Sequence, residues 1–362
     1  MVSLPNFQVV LYLSIVMVVE SLSYIKNDLQ FTTMPNDIPF TTLNVNLDNN
    51  EITQLSVRDL QNLTSLVNLT LQYNKISMIE PGSFKNMINL KLLHLNGNQI
   101  TILHKSVFQD LKLLQELSLA TNRINLVEIG ALGMPFLQVL DISQNKMKTI
   151  PDISSLANLR YLKIIHNELE VQTPVCGALK RLETLKMRKN EIVSIPDEFF
   201  HECVQIYSVN YKSNQLTSAK WISSLPPTVT EILISNNQIS GSIQSQWFTN
   251  LRNLQIFELS SNQVDSFDFA SLSYLPALET LDLINNQITF LGDPYLWCSG
   301  KPCNSLEIKM RGNTLPCNSS LCWDKHFSGV ILKRDDCFGK IWSSVTMEDL
   351  QCKGEYNVIH CL

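Results

Sequence analysis

The chain has 362 residues, of which 44% are hydrophobic and 17% are charged, and its formal net charge at pH 7 is −5. Such a mild negative charge gives no support for binding to nucleic acid or to a membrane surface by general electrostatics. Length alone would suggest two or three globular domains. An internal repeat replaces that expectation.

An apolar run over residues 9–19 opens the chain and is followed by Glu20 and by the small residues Ser21 and Ser23. Its length is typical of a secretory signal peptide and short for a membrane span, although no Lys or Arg precedes it. We predict a signal peptide over 1–23, with a buried N-terminal strand as the alternative. Residues 24–41 contain no cysteine and are predicted to cap the N-terminal end.

The repeat is best seen in residues 90–100, LKLLHLNGNQI, which fit the pattern L-x-x-L-x-L-x-x-N-x-L. The same pattern recurs at steps of 22 to 27 residues, so the chain is a repeat array. The asparagines at the N position of the pattern are Asn50, Asn74, Asn98, Asn122, Asn145, Asn167, Asn190, Asn214, Asn237, Asn262, Asn286 and Asn313.

Each repeat predicts one short strand followed by a turn. The alternation in LHL indicates a strand with one buried face. The asparagine lies where the chain turns out of the sheet, and its amide can satisfy backbone groups there. Phe84, Phe108 and Phe200 each stand ten residues after such an asparagine and are predicted to fill the same core layer.

Repeats such as LVNLTLQYNKI, LQELSLATNRI and LETLDLINNQI resemble the leucine-rich repeats of extracellular proteins, over roughly residues 42 to 315. The resemblance implies an α/β fold, a leucine-rich repeat solenoid or horseshoe of about twelve repeats with a concave parallel β-sheet. We place the solenoid at 42–297, and a last degenerate repeat with a cysteine-rich C-terminal cap at 298–362.

Seven of the nine cysteines lie at the C-terminal end: Cys298, Cys303, Cys317, Cys322, Cys337, Cys352 and Cys361. Dense cysteines after a secretory leader favour disulfides over zinc, and no C-x-x-C pair is present. The stretch GNTLPCNSSLCW resembles the cysteine-rich cap of extracellular repeat proteins, but its spacing differs, so the pairing stays open. Cys176 and Cys203 can pair across consecutive repeats. Because nine is odd, Cys361 is a candidate for a disulfide-linked dimer.

Three N-x-S/T sequons predict glycosylation at Asn62, Asn68 and Asn318. Asn68 occupies a solvent-facing strand position, so a glycan there would cover the N-terminal part of the concave face. No apolar stretch follows the cap, and we therefore expect a released, extracellular chain without a membrane span.

The sequence holds none of the familiar catalytic motifs, and its six histidines are scattered. We predict that the protein is not an enzyme and that it carries no cofactor and no metal. The remaining chemistry is recognition by the side chains that project from the strands.

Exposed strand positions of repeats six to eight are predominantly basic and predict a ligand-binding band. Repeats nine to eleven supply the acidic residues Glu231, Glu258, Glu279 and Asp282. A solvated face without a ligand is the alternative. The predicted band consists of Arg160, Tyr161, Lys163, His166, Lys186, Arg188, Lys189, Tyr207 and Lys212.

These features predict a secreted protein that binds an extracellular protein or an acidic glycan on its concave face. Two alternatives stay open. One is a structural component of an extracellular matrix or mineralised layer, and the other is a non-catalytic subunit of a secreted enzyme.

Overall fold

The computed structural model describes residues 22–170, 176–289 and 306–314, together with the backbone of a strand at 331–333. The predicted signal peptide up to residue 21, the cysteines from Cys298 to Cys361 and the sequon at Asn318 lie outside the described residues. The chain divides into two compact units. The described part of unit 1 is 22–169 with 178–182, and that of unit 2 is 170 and 176–177 with the described residues beyond 182.

Unit 1 contributes one strand per repeat to a parallel sheet, and two further strand pairs lie after the turns. A short helix, α1, covers Val57–Leu60. The pairs β3–β5 and β7–β9 lie outside the main sheet. The strands are β1 (Ser23–Ile25), β2 (Asn44–Asn46), β3 (Gln54–Leu55), β4 (Asn68–Thr70), β5 (Met78–Ile79), β6 (Leu92–His94), β7 (Ile102–Leu103), β8 (Glu116–Ser118), β9 (Leu126–Val127), β10 (Val139–Asp141) and β11 (Tyr161–Lys163).

The described residues of unit 2 repeat the same plan, with a flanking pair β15–β17 and three 3-10 helices between the sheet strands. These helices cover Lys220–Ser224, Ser245–Phe248 and Phe269–Tyr274. The strands are β12 (Thr184–Lys186), β13 (Ser208–Asn210), β14 (Glu231–Leu233), β15 (Ser240–Ile243), β16 (Ile256–Glu258), β17 (Gln263–Phe267), β18 (Thr280–Asp282), β19 (Glu307–Lys309) and β20 (Ile331–Lys333).

The strands pair in the register that the repeat imposes. Leu93 of β6 stands opposite Leu69 of β4 on one side and Leu117 of β8 on the other. All three leucines have 0% exposed surface, and burial of each stabilises the fold by about 2 kcal/mol. The predicted inward direction of the leucines is therefore confirmed for these strands.

The buried asparagines form the predicted ladder, as Asn98 illustrates. Its Nδ2 donates to the carbonyl oxygens of Leu71 and Leu95, each at 2.9 Å, and its Oδ1 accepts from the backbone N–H of Ile76 at 2.9 Å. Both carbonyls and the N–H lie at the turn out of the sheet, where no strand pairs with them. One side chain therefore satisfies three buried backbone groups and joins two repeats.

The residue directly before each ladder asparagine has a positive φ. Gly97 and Gly312 take this conformation without a Cβ penalty, whereas the side chains elsewhere are held in the left-handed region by the surrounding turn. The non-glycine residues at this position are Asn49, Tyr73, Thr121, Gln144, His166, Lys189, Ser213, Asn236, Ser261 and Asn285, with φ between 53° and 58°.

The segment before the first repeat is folded onto that repeat. Strand β1 pairs in parallel with β2, and Asn50 Oδ1 accepts from the backbone N–H groups of Leu29 and Phe31. Asn50 Nδ2 donates to the carbonyl oxygen of Lys26 at 2.8 Å. The first asparagine of the ladder thus anchors the cysteine-free segment, while the boundary at residue 23 stays a prediction.

Aromatic residues fill the core behind the sheets. Phe84 and Phe108 are fully buried in unit 1, with ring centroids 5.8 Å apart, as their shared offset predicts. In unit 2, the rings of Phe200, Tyr211 and Trp221 pack together at centroid distances of 5.4 to 6.4 Å. The larger rings occupy the space behind the strands, so each repeat is stabilised by its neighbours.

A disulfide joins Cys176 and Cys203 in unit 2, with their Cα atoms 4.9 Å apart. Both cysteines are buried, with 1% and 0% exposed surface. The bond connects two successive turns and closes a loop with a sequence separation of 27 residues, which restricts the unfolded chain.

Candidate binding face

The open face of each sheet is built from the third and fifth positions of the repeat, counted from its leading apolar residue. In β4, β6 and β8 the middle residue is buried, while its two neighbours are partly exposed. Because strand side chains alternate, these neighbours all project from the same face. The face therefore presents rows of side chains about 4.8 Å apart, each row drawn from a different repeat.

In unit 1 the predicted basic residues lie on and around β11. The Arg160 guanidinium lies over the Tyr161 ring, 5.6 Å from its centroid. Lys163 Nζ lies 3.6 Å from Asp141 Oδ2 on β10, and both side chains are partly exposed. An ion pair of this kind contributes about 0–1 kcal/mol, so an incoming anion can compete for the lysine.

His166 belongs to the turn rather than to the strand. It precedes Asn167, is exposed, and has a φ of 58°. His166 therefore lies at the edge of the predicted band, and the left-handed turn sets the direction of its side chain.

In unit 2 the predicted residues Lys186, Arg188 and Lys189 belong to one repeat, and Tyr207 and Lys212 to the next. The backbone N–H of Lys189 donates to the carbonyl oxygen of Lys212 at 2.8 Å, so the two turns are adjacent. Lys189 and Arg188 are exposed, and Lys186 is partly exposed. Tyr207 has 39% of its surface exposed.

Lys212 is paired with an acidic residue from two strands away. Its Nζ contacts Glu258 Oε2, although Glu258 lies on β16 and Lys212 follows β13, with β14 between them. Both side chains are less than one-third exposed. Basic and acidic residues of unit 2 therefore meet directly, and Lys212 is less accessible to a ligand than its position in the sequence suggests.

Other acidic residues of the face also have partners within unit 2. Ser208 Oγ donates to Glu231 Oε2 on the neighbouring strand. Asp282 Oδ1 accepts from the backbone N–H of Ile284 at 3.0 Å. Lys309 Nζ lies 3.3 Å from Glu307 Oε2 on the same strand. These contacts give the acidic residues structural roles in the sheet.

The hydrogen bond that Asp282 accepts belongs to a recurring arrangement that the sequence pattern did not predict. The backbone N–H at the seventh position of the repeat is bound by the side chain at the fifth position in several repeats. Asn46, Asp141 and Asn210 accept from the N–H groups of residues 48, 143 and 212 at 2.9, 3.0 and 3.1 Å. An Asn or Asp two residues before the seventh position was the available signature.

The seventh-position side chains of the first three repeats form a hydrogen-bonded chain of one carboxylate and two amides, which we call the amide chain. Gln72 Nε2 donates to Asp48 Oδ2 at 3.3 Å, and Asn96 Nδ2 donates to Gln72 Oε1 at 3.0 Å. The Gln72 backbone N–H also donates to Asp48 Oδ1 at 2.7 Å. Burial raises the pKa of the Asp48 carboxyl, and the hydrogen bond from Gln72 opposes that effect.

The two described sequons differ in their surroundings. Asn62 is exposed and follows α1. Asn68 lies on β4, where its Nδ2 donates to Asn44 Oδ1 at 2.7 Å, and Asn44 in turn donates to Ser23 Oγ at 3.3 Å. A glycan on the amide nitrogen of Asn68 would replace one of its two hydrogens beside this contact.

Within the described ranges, no group of three or more His, Cys, Asp or Glu residues is arranged to hold a metal ion. In the same part of the chain, no helix is long and apolar enough to cross a membrane.

A family model described as leucine rich repeat matches residues 64–124, 114–169 and 227–288. An internalin from Listeria monocytogenes has the same fold, with a TM-score of 0.69, 23% identity, and coverage of 87% of this chain and 86% of that chain. With the in-register parallel strands and the asparagine ladder, these matches show that the chain has a leucine-rich repeat solenoid fold, although the family model covers less than half of the chain.

Two curated relatives share part of the chain. A protein phosphatase 1 regulatory inhibitor subunit homolog from Arabidopsis thaliana is 29% identical over 159 residues, which is 42% of this chain and 46% of that protein. A transforming growth factor beta activator from Danio rerio is 33% identical over 114 residues, which is 31% of this chain and 17% of that protein. The chain spans less than half the length of either relative.

Proposed function

We propose that the chain is a secreted leucine-rich repeat protein that binds an extracellular protein or an acidic glycan on the open face of its sheet. The observations that carry the proposal are the partly exposed Lys163 on β11 in unit 1 and, in unit 2, the partly exposed Lys186 on β12 with the exposed Arg188 and Lys189 of the turn after it. A rigid array of repeats loses little conformational entropy on binding, so affinity follows from complementarity.

The charges favour a ligand that carries carboxylate or sulfate groups. Lys163 has one weak ion pair with Asp141, and the Arg160 guanidinium is supported by the Tyr161 ring. Such groups attract an anionic partner over a distance that salt shortens, and they accelerate association more than they hold the complex. The relative from Danio rerio, whose name describes an activator of a growth factor, is consistent with binding rather than catalysis.

The test is a pull-down from extracellular fluid with the wild type and a Lys163→Glu, Lys186→Glu double variant. The matched control is Lys112→Glu, Lys180→Glu, which makes the same charge change at exposed residues outside the strands. We expect a partner that salt releases, that the control retains, and that the double variant binds at least about tenfold more weakly.

Non-reducing gels and mass spectrometry identify what is retained. Equal retention by all three proteins would contradict the basic residues as the binding site. If nothing is retained and the protein runs as disulfide-linked oligomers, a structural matrix component becomes the better interpretation.

A further inference from the structure

Tyr73 is the largest side chain in the column that precedes the ladder asparagines. Its φ is 53°, and 59% of its surface is exposed. A bulky residue in the left-handed region is strained relative to its ordinary conformation, whereas Gly or Asn takes this conformation readily. An exposed tyrosine adds no buried core that would offset that strain.

Gly97 occupies the same column in the next repeat and lies against the Tyr73 ring. A Cβ atom on Gly97 would stand 2.5 Å from Tyr73 Cδ1 and 2.9 Å from Cε1. Contacts this short do not occur, so the ring can rest here only because residue 97 has no side chain. One side of the ring is thereby supported by backbone, while much of the ring stays open to solvent.

The neighbouring positions carry the amide chain of Asp48, Gln72 and Asn96. Its hydrogen bonds, at 3.3 and 3.0 Å, fix the orientation of the two amides. An amide offers both donors and acceptors, whereas a lysine offers only donors. A row of this kind suits a ligand whose groups also donate and accept, and hydroxyl groups are the commonest of these.

The local charges disfavour an anionic ligand. The Asp48 carboxylate would repel it, and the nearby Lys75 is already paired with Glu51 at 3.0 Å. His94 Nε2 lies 2.9 Å from Glu116 Oε1 on the adjacent strand, which again places a carboxylate on this face. A neutral ligand avoids this repulsion.

We propose that Tyr73, Gln72 and Asn96 form a binding site for a neutral saccharide, with one sugar ring stacked on Tyr73 and its hydroxyl groups bonded to the two amides. The flat apolar face of an aromatic ring accepts the C–H side of a sugar ring, while the amides select its hydroxyls. The site uses none of the predicted basic residues. The saccharide site can therefore be disproved without affecting the proposed function, and the proposed function can be disproved without affecting this site.

The experiment measures binding of the wild-type protein to an array of immobilised uncharged oligosaccharides in about 0.5 M sodium chloride, which screens exposed charges. The best-bound oligosaccharide is then titrated free in solution against the variants. Tyr73→Gly removes the ring and keeps a residue that tolerates positive φ, so the fold is retained. We expect this variant to bind about tenfold more weakly.

Thr121→Gly is the matched control, because it makes the same backbone change in the same column at a φ of 56°. It should bind as the wild type does, and so should Tyr73→Phe and the Lys163→Glu, Lys186→Glu variant. Thermal unfolding of each protein verifies that the fold is intact. The proposal is overturned if the wild type binds no uncharged sugar, or if Tyr73→Gly and Thr121→Gly bind equally well.

Discussion

Two neighbouring columns of the repeat, the ladder asparagines and the residues directly before them, are held by different kinds of constraint. Asn98 and its equivalents are defined by what the side chain does, since one amide satisfies three backbone groups. The preceding column is defined by its backbone, which has a positive φ whether the residue is Gly97, Tyr73 or Lys189. A side-chain constraint fixes residue identity, whereas a backbone constraint leaves the side chain available for recognition.

Asn98→Ala removes one ladder asparagine and is the substitution with the largest expected effect on stability. It leaves the N–H of Ile76 buried without its partner and removes one of two amide donors from the carbonyls of Leu71 and Leu95, each of which keeps the amide of an adjacent ladder asparagine at 3.2 or 3.0 Å. An unsatisfied buried N–H costs about 1–3 kcal/mol and each lost hydrogen bond about 0.5–1.5 kcal/mol, so we expect urea titrations to show a fall of about 2–5 kcal/mol in the free energy of unfolding.

Asn96→Ala is the control for that substitution. Asn96 is partly exposed and donates to Gln72 on the surface, so we expect a loss of about 1 kcal/mol or less. Equal losses for the two variants would mean that the ladder adds nothing beyond an ordinary surface hydrogen bond.

The second substitution, Gly97→Ala, tests the backbone column. The new Cβ would meet the Tyr73 ring at 2.5 Å, and alanine tolerates the φ of 73° poorly. We expect a loss of about 2–3 kcal/mol, of which about 1 kcal/mol is due to φ alone. In the Tyr73→Gly background, only the loss of about 1 kcal/mol that is due to φ should remain. Thermal or urea unfolding of the wild type, the two single variants and the double variant gives the coupling energy.

Additive losses in that double-mutant cycle would show that the ring and residue 97 do not interact. That result would also remove the support on which the stacked position of Tyr73 depends, while it would leave the ladder itself unaffected.

The contrast also explains which features the sequence predicted. The strands, the buried leucines and the ladder were predictable because each requires one residue type, and repetition makes that requirement visible. The left-handed column was not predicted, because Tyr73, Thr121 and Lys189 share no side-chain property and their φ is imposed by the turn.

The candidate binding face was only partly predictable for a related reason. The positions of Lys163 and Lys186 follow from the alternation of each strand. The pairing of Lys212 with Glu258 does not, since long side chains reach past β14 and connect two columns that the sequence presents as separate. Reading one column at a time misses contacts of this kind.

The smallest expected effect concerns Asp48, the acidic member of the amide chain. Burial raises its pKa, so the folded protein binds a proton more readily than the unfolded chain does. The wild type should therefore gain stability relative to Asp48→Asn as pH falls from the raised pKa towards the ordinary value for aspartate, and lose that gain as pH rises again. The substituted amide keeps an oxygen that accepts from the Gln72 N–H.

Because Asp48 is partly exposed, we expect the difference between the two proteins to change by less than about 1 kcal/mol. Urea unfolding at several pH values between about 3 and 6 measures it. A difference that grows in the opposite direction would mean that the hydrogen bonds to Asp48 outweigh its burial. The charged form would then be the favoured one, and the amide chain would hold an anion rather than tolerate it.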